Sequence, residues 1–281
     1  MVNRGSTLAR LQGRFIFEYN RLALRWRARR SRGRAVSLRS DTGLIRVDDG
    51  VRQVYVPHVR FAHLFCDGIT PRLELVAQKY IGATGYAPRE GDVVIDVGAG
   101  FGEFTLWCAG VGAQVVAFEP DPLAFACLER NTASLPGVQI YPYALWKERT
   151  NLRLHGSFDT AESSLIEDGK ANSRNVDVEA WPLDGLSFMV RLPVVDLMKI
   201  DGEGVEPEII AGAWRTLRRT RVVAVDIAAT DRRPHLKARV EAALAGVNFR
   251  PIPHDRSDTI LALNSAMVGP INNRVLDRRN S

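Results

Sequence analysis

The stretch GDVVIDVGAGFGEFTLWCAGVGAQVVAFEPDP, Gly91 to Pro122, decides the fold. Val93, Val94 and Ile95 form a β-branched apolar run of the kind found in a strand buried on both faces. Asp96 and the alternating glycines Gly98, Gly100 and Gly102 close that strand. Glu103 to Ala109 has helical character and stops at Gly110 and Gly112. A second strand, Gln114 to Phe118, then runs into Glu119. The pattern is half of a nucleotide-binding βαβ unit, with glycines where the backbone must approach a ligand closely. Glu119, at the tip of the second strand, is placed to accept hydrogen bonds from a ribose diol.

Outward from this unit the βα rhythm continues. A helix over Leu123 to Ala133 and a turn at Pro136-Gly137 lead to a third strand, Val138 to Tyr143, which ends in Ala144. Ligands of open α/β sheets collect beyond the carboxyl ends of strands, so Tyr143 to Trp146 either border an adenine or are ordinary packing residues. Residues 147–194 interrupt the rhythm with two β-like stretches, Asn151 to His155 and Asn175 to Trp181, around a polar loop, a natural place to recognise an acceptor. Val194 to Ile200 reads as a fourth core strand, with Asp201, Glu203 and Glu206 after it. A helix with Ile209, Ile210, Ala213 and Leu217 on its buried stripe comes next. Val222 to Ile227, a helix over His235 to Ala245, and strands near Phe249 and Thr259 to Leu263 complete the core, and Asn272 to Ser281 reads as a polar tail.

At 281 residues and 46% hydrophobic, the chain suffices for one substantial α/β core. Its net charge of +6 is unevenly spread. Residues 1–40 hold eleven Arg and no Lys against the single acid Glu18, while the remainder carries 27 basic and 31 acidic residues. The core is therefore mildly acidic, and a basic chain average is no argument that it binds nucleic acid.

Within the arm, Leu8, Phe15 and Leu22 interleave with Tyr19 and Trp26 as one helical stripe among arginines. Such a helix suits an anionic membrane surface or a phosphate-rich partner. The plainer alternative is a stripe packed on the core or on a second copy of the chain, with solvated arginines. Scarce acids also suit an organellar transit peptide. Between Ser40 and Gly91, Leu44 to Val56 alternates enough for one or two short strands and Pro71 to Ile81 has helical spacing, which makes 41–90 a candidate cap over the cleft. His58 and His63 lack metal-pair spacing, and Cys66, Cys108 and Cys127 are scattered without a CxxC, as expected of a reducing compartment. No apolar run reaches membrane-spanning length, so the expected location is the cytoplasm, with the arm as a peripheral contact at the inner membrane surface.

Two ligands compete for the glycine loop. Its spacing is Gly98-x-Gly100-x-Gly102, not the G-x-G-x-x-G that suits a dinucleotide pyrophosphate. Asp96, the Glu119-Pro120-Asp121 run and the carboxylates after strand four are a poor match to a pyrophosphate. They suit a cationic sulfonium carrying an amino group and a ribose, which favours S-adenosylmethionine over NAD.

DVGAGFGEFT, VAFEPDPLAFACLERN and LMKIDGEGVEPEIIAGA together resemble the FkbM family of S-adenosylmethionine-dependent methyltransferases, over roughly residues 80–265. The resemblance implies a class I methyltransferase fold: a Rossmann-like, seven-stranded, mostly parallel sheet with helices on both faces and a reversed last hairpin, within residues 91–270. It implies O-methylation of a sugar, glycan or small natural product. Carried over by motif, Asp96, Gly98 and Gly100 would line the methionine part, Glu119 the ribose, and Asp201 to Glu203 the reaction edge, with Ala99, Gly102, Pro120, Ala144 and Asp201 also counted as cofactor-binding. This chain has Gly100 where the family often has Asn, and Gly202 where it often has Val. Asp201 and Glu203 are the candidate catalytic pair, accepting a hydroxyl proton or holding a divalent metal that would acidify it, or else merely capping the following helix. Two other functions fit the same residues: an RNA methyltransferase guided by the arginine arm, and a non-catalytic S-adenosylmethionine-binding module.

Overall fold

In the computed structural model, residues 36–157, 163–164, 173–192, 194–227, 235–256 and 258–267 are described. The basic helical stripe of the arm, residues 158–162 of the polar loop read over 156–164, and the polar tail at 272–281 lie outside them. The chain starts with a three-stranded antiparallel sheet, β1 (Ser37–Asp41), β2 (Leu44–Asp48) and β3 (Gln53–Val56), then a 3₁₀ turn at Val59–Phe65 and helix α1 (Ile69–Ile81). The core follows as β4 (Val93–Val97), α2 (Glu103–Gly110), β5 (Gln114–Phe118), α3 (Pro122–Thr132) and β6 (Val138–Tyr141). Next come β7 (Ala144–Leu145), β8 (Thr150–Ser157), β9 (Ser163–Ser164) and β10 (Ser173–Trp181). The core resumes with β11 (Val195–Ile200), α4 (Glu206–Gly212), α5 (Trp214–Leu217), β12 (Thr220–Asp226), α6 (Leu236–Ala245), β13 (Phe249–Pro251) and β14 (Thr259–Asn264).

The seven-stranded sheet has the order β13-β14-β12-β11-β4-β5-β6. The five strands from β12 across to the edge strand β6 pair in parallel, and only β14 runs antiparallel to both its neighbours. That is the class I methyltransferase arrangement with its reversed last hairpin. Chain order runs outward from β4 in one direction through β5 and β6, and in the other through β11 and β12. The strand ends beside β4 are therefore the topological switch point where such sheets take ligands.

Alternation along each strand assigns the two faces. Val94, Val115, Ala117 and Leu197 pack beneath Tyr80 of α1, Phe104 and Cys108 of α2, and Leu128 of α3. Ile95, Val97, Val116, Met198 and Ile200 face Ile209 and Ile210 of α4, Leu217 of α5, and Val240 of α6. The same parity puts two polar residues of β4 and β11, Asp96 and Lys199, on the α1 side. The N-terminal sheet has its own apolar cluster, which closes onto Phe101 and Cys127. Asn131 of α3 fastens that contact: its amide donates to the carbonyls of Phe101 and Tyr55 and accepts from the Tyr55 N–H.

The structure departs from the sequence reading in three places. Residues 37–40, expected to belong to the arm, join Asp41 in β1 against β2. The expected pair of strands in the insertion is a four-stranded sheet, because β10 pairs with β8 and also with β7, thirty-odd residues earlier in the chain. The single helix expected after β11 breaks into α4 and α5. The Asp184 carboxylate accepts from the backbone N–H groups of Arg215 and Thr216 and from the Thr216 hydroxyl, so it starts a new helix where the old one would have continued. Among the described residues, no helix is long and apolar enough to cross a membrane.

Candidate active site

Beyond the ends of β4, β5 and β11 lies a cleft of about 350 Å³, within the size range of small-molecule sites. Gly98, Ala99, Gly100, Glu119, Pro120, Ala144, Asp201 and Glu203 all line it, so the structure brings together most of the residues expected from the motifs. Asp96 and Gly102 are not on its wall. Asp96 is wholly buried one layer below: one carboxylate oxygen accepts from Thr105 Oγ1 at 2.7 Å and the other from Lys199 Nζ at 2.9 Å. Gly102 immediately precedes α2 and packs near Leu128. Tyr143 and Leu145 line the cleft and Trp146 packs into the core beside it.

The first loop is held by its glycines. Gly98 has φ +70, and a Cβ there would stand 2.0 Å from the Asp201 carbonyl oxygen, so the loop after β4 and the loop after β11 touch backbone to backbone. Gly98→Ala is expected to destabilise the fold by about 2–4 kcal/mol, through strain and overpacking, read as a lowered denaturation midpoint. Gly100, at φ +59, has nothing within 4 Å of where its Cβ would be, so this part of the loop leaves open space beside the cleft.

Glu119 directly follows β5, with its side chain buried. One oxygen accepts from the Gly100 N–H at 2.7 Å and the other from the Asp121 N–H at 2.8 Å. Burial pushes its carboxyl up to about 7, against the lowering effect of those two donors and of Lys199, with Asp121 adding a small upward push. For a carboxyl raised in this way, the contribution to stability is fully present below the unfolded value and is lost as pH rises through 7. A ligand that donates hydrogen bonds to the carboxylate favours the ionised form. Its affinity is therefore expected to rise between pH 6 and 8, with proton release on binding, visible as a calorimetric heat that depends on the buffer's ionisation enthalpy.

Under α1 the strand ends carry a charged network. Lys199, 4% exposed, donates to Asp96 and to the Gly98 carbonyl at 2.8 Å, and its Nζ lies 3.7 Å from Asp201 Oδ2. Burial works against its charge, but Asp96 and Asp201 outweigh burial and keep the ammonium protonated. Tyr80 donates its hydroxyl to Asp201 Oδ2 at 3.1 Å, and the same hydroxyl lies 3.3 Å from Asp226 Oδ2, which Lys79 pairs with. Burial, then the Asp201 and Asp226 charges, push the phenol far above its ordinary range, so it remains a donor.

The loop after β11 is braced from behind. Glu206 Oε1 accepts from the N–H groups of Gly202 and Gly204, and Glu203 between them sits at φ 53, an uncommon conformation for a side-chain-bearing residue. Lys199 and Tyr80 were not picked out by the motifs. The signal for Lys199 is present, as the only lysine of the fourth core strand, where Asp196 is the other charged residue; Tyr80 lies in Pro71 to Ile81, whose spacing announces a helix and nothing more.

A parallel sheet with an acid at the tip of its second strand, a glycine turn beside it and carboxylates at the fourth strand defines a nucleoside-binding site of the methyltransferase class. The family described as the methyltransferase FkbM domain matches residues 96–251, and the chain belongs to that family. It is similar to hexuronic acid methyltransferase AglP of Haloferax volcanii, 29% identical over 160 residues that cover 56% of this chain and 65% of the relative. It is also similar to 2-O-methyltransferase NoeI of Sinorhizobium fredii, 29% identical over 126 residues, 40% of this chain and 52% of the relative. The chain thus spans less than two thirds of the length of either curated relative. A solved precorrin-6y C5,15-methyltransferase from Geobacter metallireducens aligns with a TM-score of 0.37 at 12% identity, over 65% of this chain and 83% of that one.

The family's methyl donor is S-adenosylmethionine, and the residues present fit it. An ionised carboxylate offers about four acceptor positions, and the two backbone donors to Glu119 leave room for a ribose diol. Gly100 leaves the cradle beside it open. Among the described residues the cleft wall holds Glu103, Glu119, Asp121, Asp201 and Glu203 against Lys199, a charge balance that suits a cation and repels a pyrophosphate. Among the described residues there is no group of three or more His, Cys, Asp or Glu side chains arranged to hold a metal ion.

Proposed function

We propose that this chain transfers the methyl group of S-adenosylmethionine to a hydroxyl of a sugar, glycan or small natural product. The observation that carries this reading is the buried Glu119 carboxylate at the tip of β5, open to a cleft whose opposite rim is Asp201 and Glu203. When bound, S-adenosylmethionine supplies an electrophilic methyl carbon on a positively charged sulfur. The chain's contribution is alignment and proton removal. Glu119 would hold the ribose hydroxyls, and the open backbone around Gly98 to Gly100 would accommodate the methionine part. Tyr143 and Leu145 would border the base.

Displacement at a methyl carbon needs the acceptor oxygen in line, so positioning supplies much of the rate. The acceptor hydroxyl must also give up its proton as its bond to carbon forms. Asp201 would take it, with Glu203 beside it; in support, the Asp201 side chain is 24% exposed and both residues are on the cleft wall. Both curated relatives bear names of sugar-directed or O-directed methyltransferases, which supports a hydroxyl acceptor.

The test is incubation with methyl-labelled S-adenosylmethionine and separated pools of glycans, lipids and RNA from cells. Label transferred to a sugar or small-molecule hydroxyl supports the reading. Label found only in RNA favours the arginine arm as a guide, and binding of the donor without transfer to any pool favours a binding module.

A further inference from the structure

We propose that Tyr80, on the N-terminal helix α1, is a positioning residue for the reaction: its hydroxyl fixes the Asp201 carboxylate so that the proton-accepting oxygen faces the acceptor. This rests on the methyl-transfer reading above. It places part of the active site outside the segment that carries the family's motifs, since the family match starts at Asp96.

Three observations converge on it. Tyr80 is 3% exposed yet borders the cleft, and the edge of its ring meets Phe104 at a centroid distance of 5.3 Å, so the ring has little freedom. Its hydroxyl donates to Asp201 Oδ2 at 3.1 Å, and Lys199 Nζ lies 3.7 Å from that same oxygen. Both contacts converge on one oxygen, which leaves Oδ1 as the atom available for an acceptor proton. The groups facing Asp201 are then Tyr80 from α1, Lys199 from its own strand, Asp226 from β12 next to the Tyr80 hydroxyl, and Glu206 at the start of α4. Lys79 closes the network by pairing with Asp226, so the second carboxylate near the hydroxyl already has a cation and Tyr80 remains committed to Asp201.

Replacing Tyr80 by Phe removes the donor and keeps the ring. The expected result for Tyr80→Phe is a roughly tenfold fall in kcat, with the Kd for S-adenosylmethionine within twofold of the parent. In the double variant Tyr80→Phe/Asp201→Asn, kcat is no lower than in Asp201→Asn alone, because the hydroxyl acts only through that carboxylate.

A readout independent of any acceptor accompanies these. With tyrosine labelled at Cζ, the Tyr80 carbon signal moves on Asp201→Asn. If Tyr80→Phe fails to fold, 3,5-difluorotyrosine at position 80 keeps the shape and gives a stronger donor, and its fluorine signal moves on Asp201→Asn. Additive losses in the double variant, or a Tyr80 signal indifferent to Asp201→Asn, would each overturn the proposal. Normal donor binding with no methyl transfer by the parent protein would instead overturn the reading on which it rests, and this role with it.

Discussion

Glu119→Ala is expected to weaken S-adenosylmethionine binding by about 100-fold or more, measured by calorimetric titration at pH 8. Hydrogen bonds to a charged group each contribute roughly 1.5–3 kcal/mol, and a diol presents two donors to this carboxylate. The alanine also frees the Gly100 and Asp121 N–H groups that Glu119 now satisfies, so the glycine loop loses its brace together with the ligand contact. Glu119→Gln separates the two effects. It keeps the shape and one acceptor oxygen, and should lose only about tenfold, while the rise in affinity between pH 6 and 8 disappears because the titrating group is gone. An alanine variant that binds as the parent does would remove the ribose from this strand tip.

The second large effect lies on the opposite rim. Asp201→Asn is expected to lower kcat by about 10²–10⁴-fold, the usual scale for losing a general base, while the Kd for S-adenosylmethionine stays within about threefold. The asparagine keeps the size of the side chain and can still accept from Tyr80 at its amide oxygen, so the fold should be nearly as stable. The removed charge matters most to Lys199, but Asp96 remains its close partner at 2.9 Å. A fall in donor affinity with kcat unchanged would reassign Asp201 from the acceptor to the cofactor.

The long parallel strands were legible in the sequence because their residues are apolar on both faces, and the glycines and acids that end them sit at the strand tips. Gln114 to Phe118 was read with its full extent for that reason. What escaped the reading depends on partners far away in the chain. β1 exists because β2 offers it a ladder, and β7 has only two residues and is a strand only through β10. The break between α4 and α5 is set by Asp184, thirty residues upstream, and no local propensity announces it.

The site divides in the same way. Glu119, Gly98, Gly100 and Asp201 could be found from spacing along the chain, whereas the burial of Asp96 follows from Lys199 and Thr105 closing over its two oxygens. Tyr80 joins the site only because α1 lies over the ends of β11 and β12, a packing relation that sequence spacing does not encode.

The most direct test of the central claim is a crystal structure with S-adenosylhomocysteine, the donor's demethylated product. This account predicts both ribose hydroxyls within hydrogen-bond distance of the Glu119 carboxylate, the amino-acid tail along Gly98 to Gly100, and the sulfur turned toward Asp201. A ligand seated elsewhere, or one whose ribose makes no contact with Glu119, would contradict it.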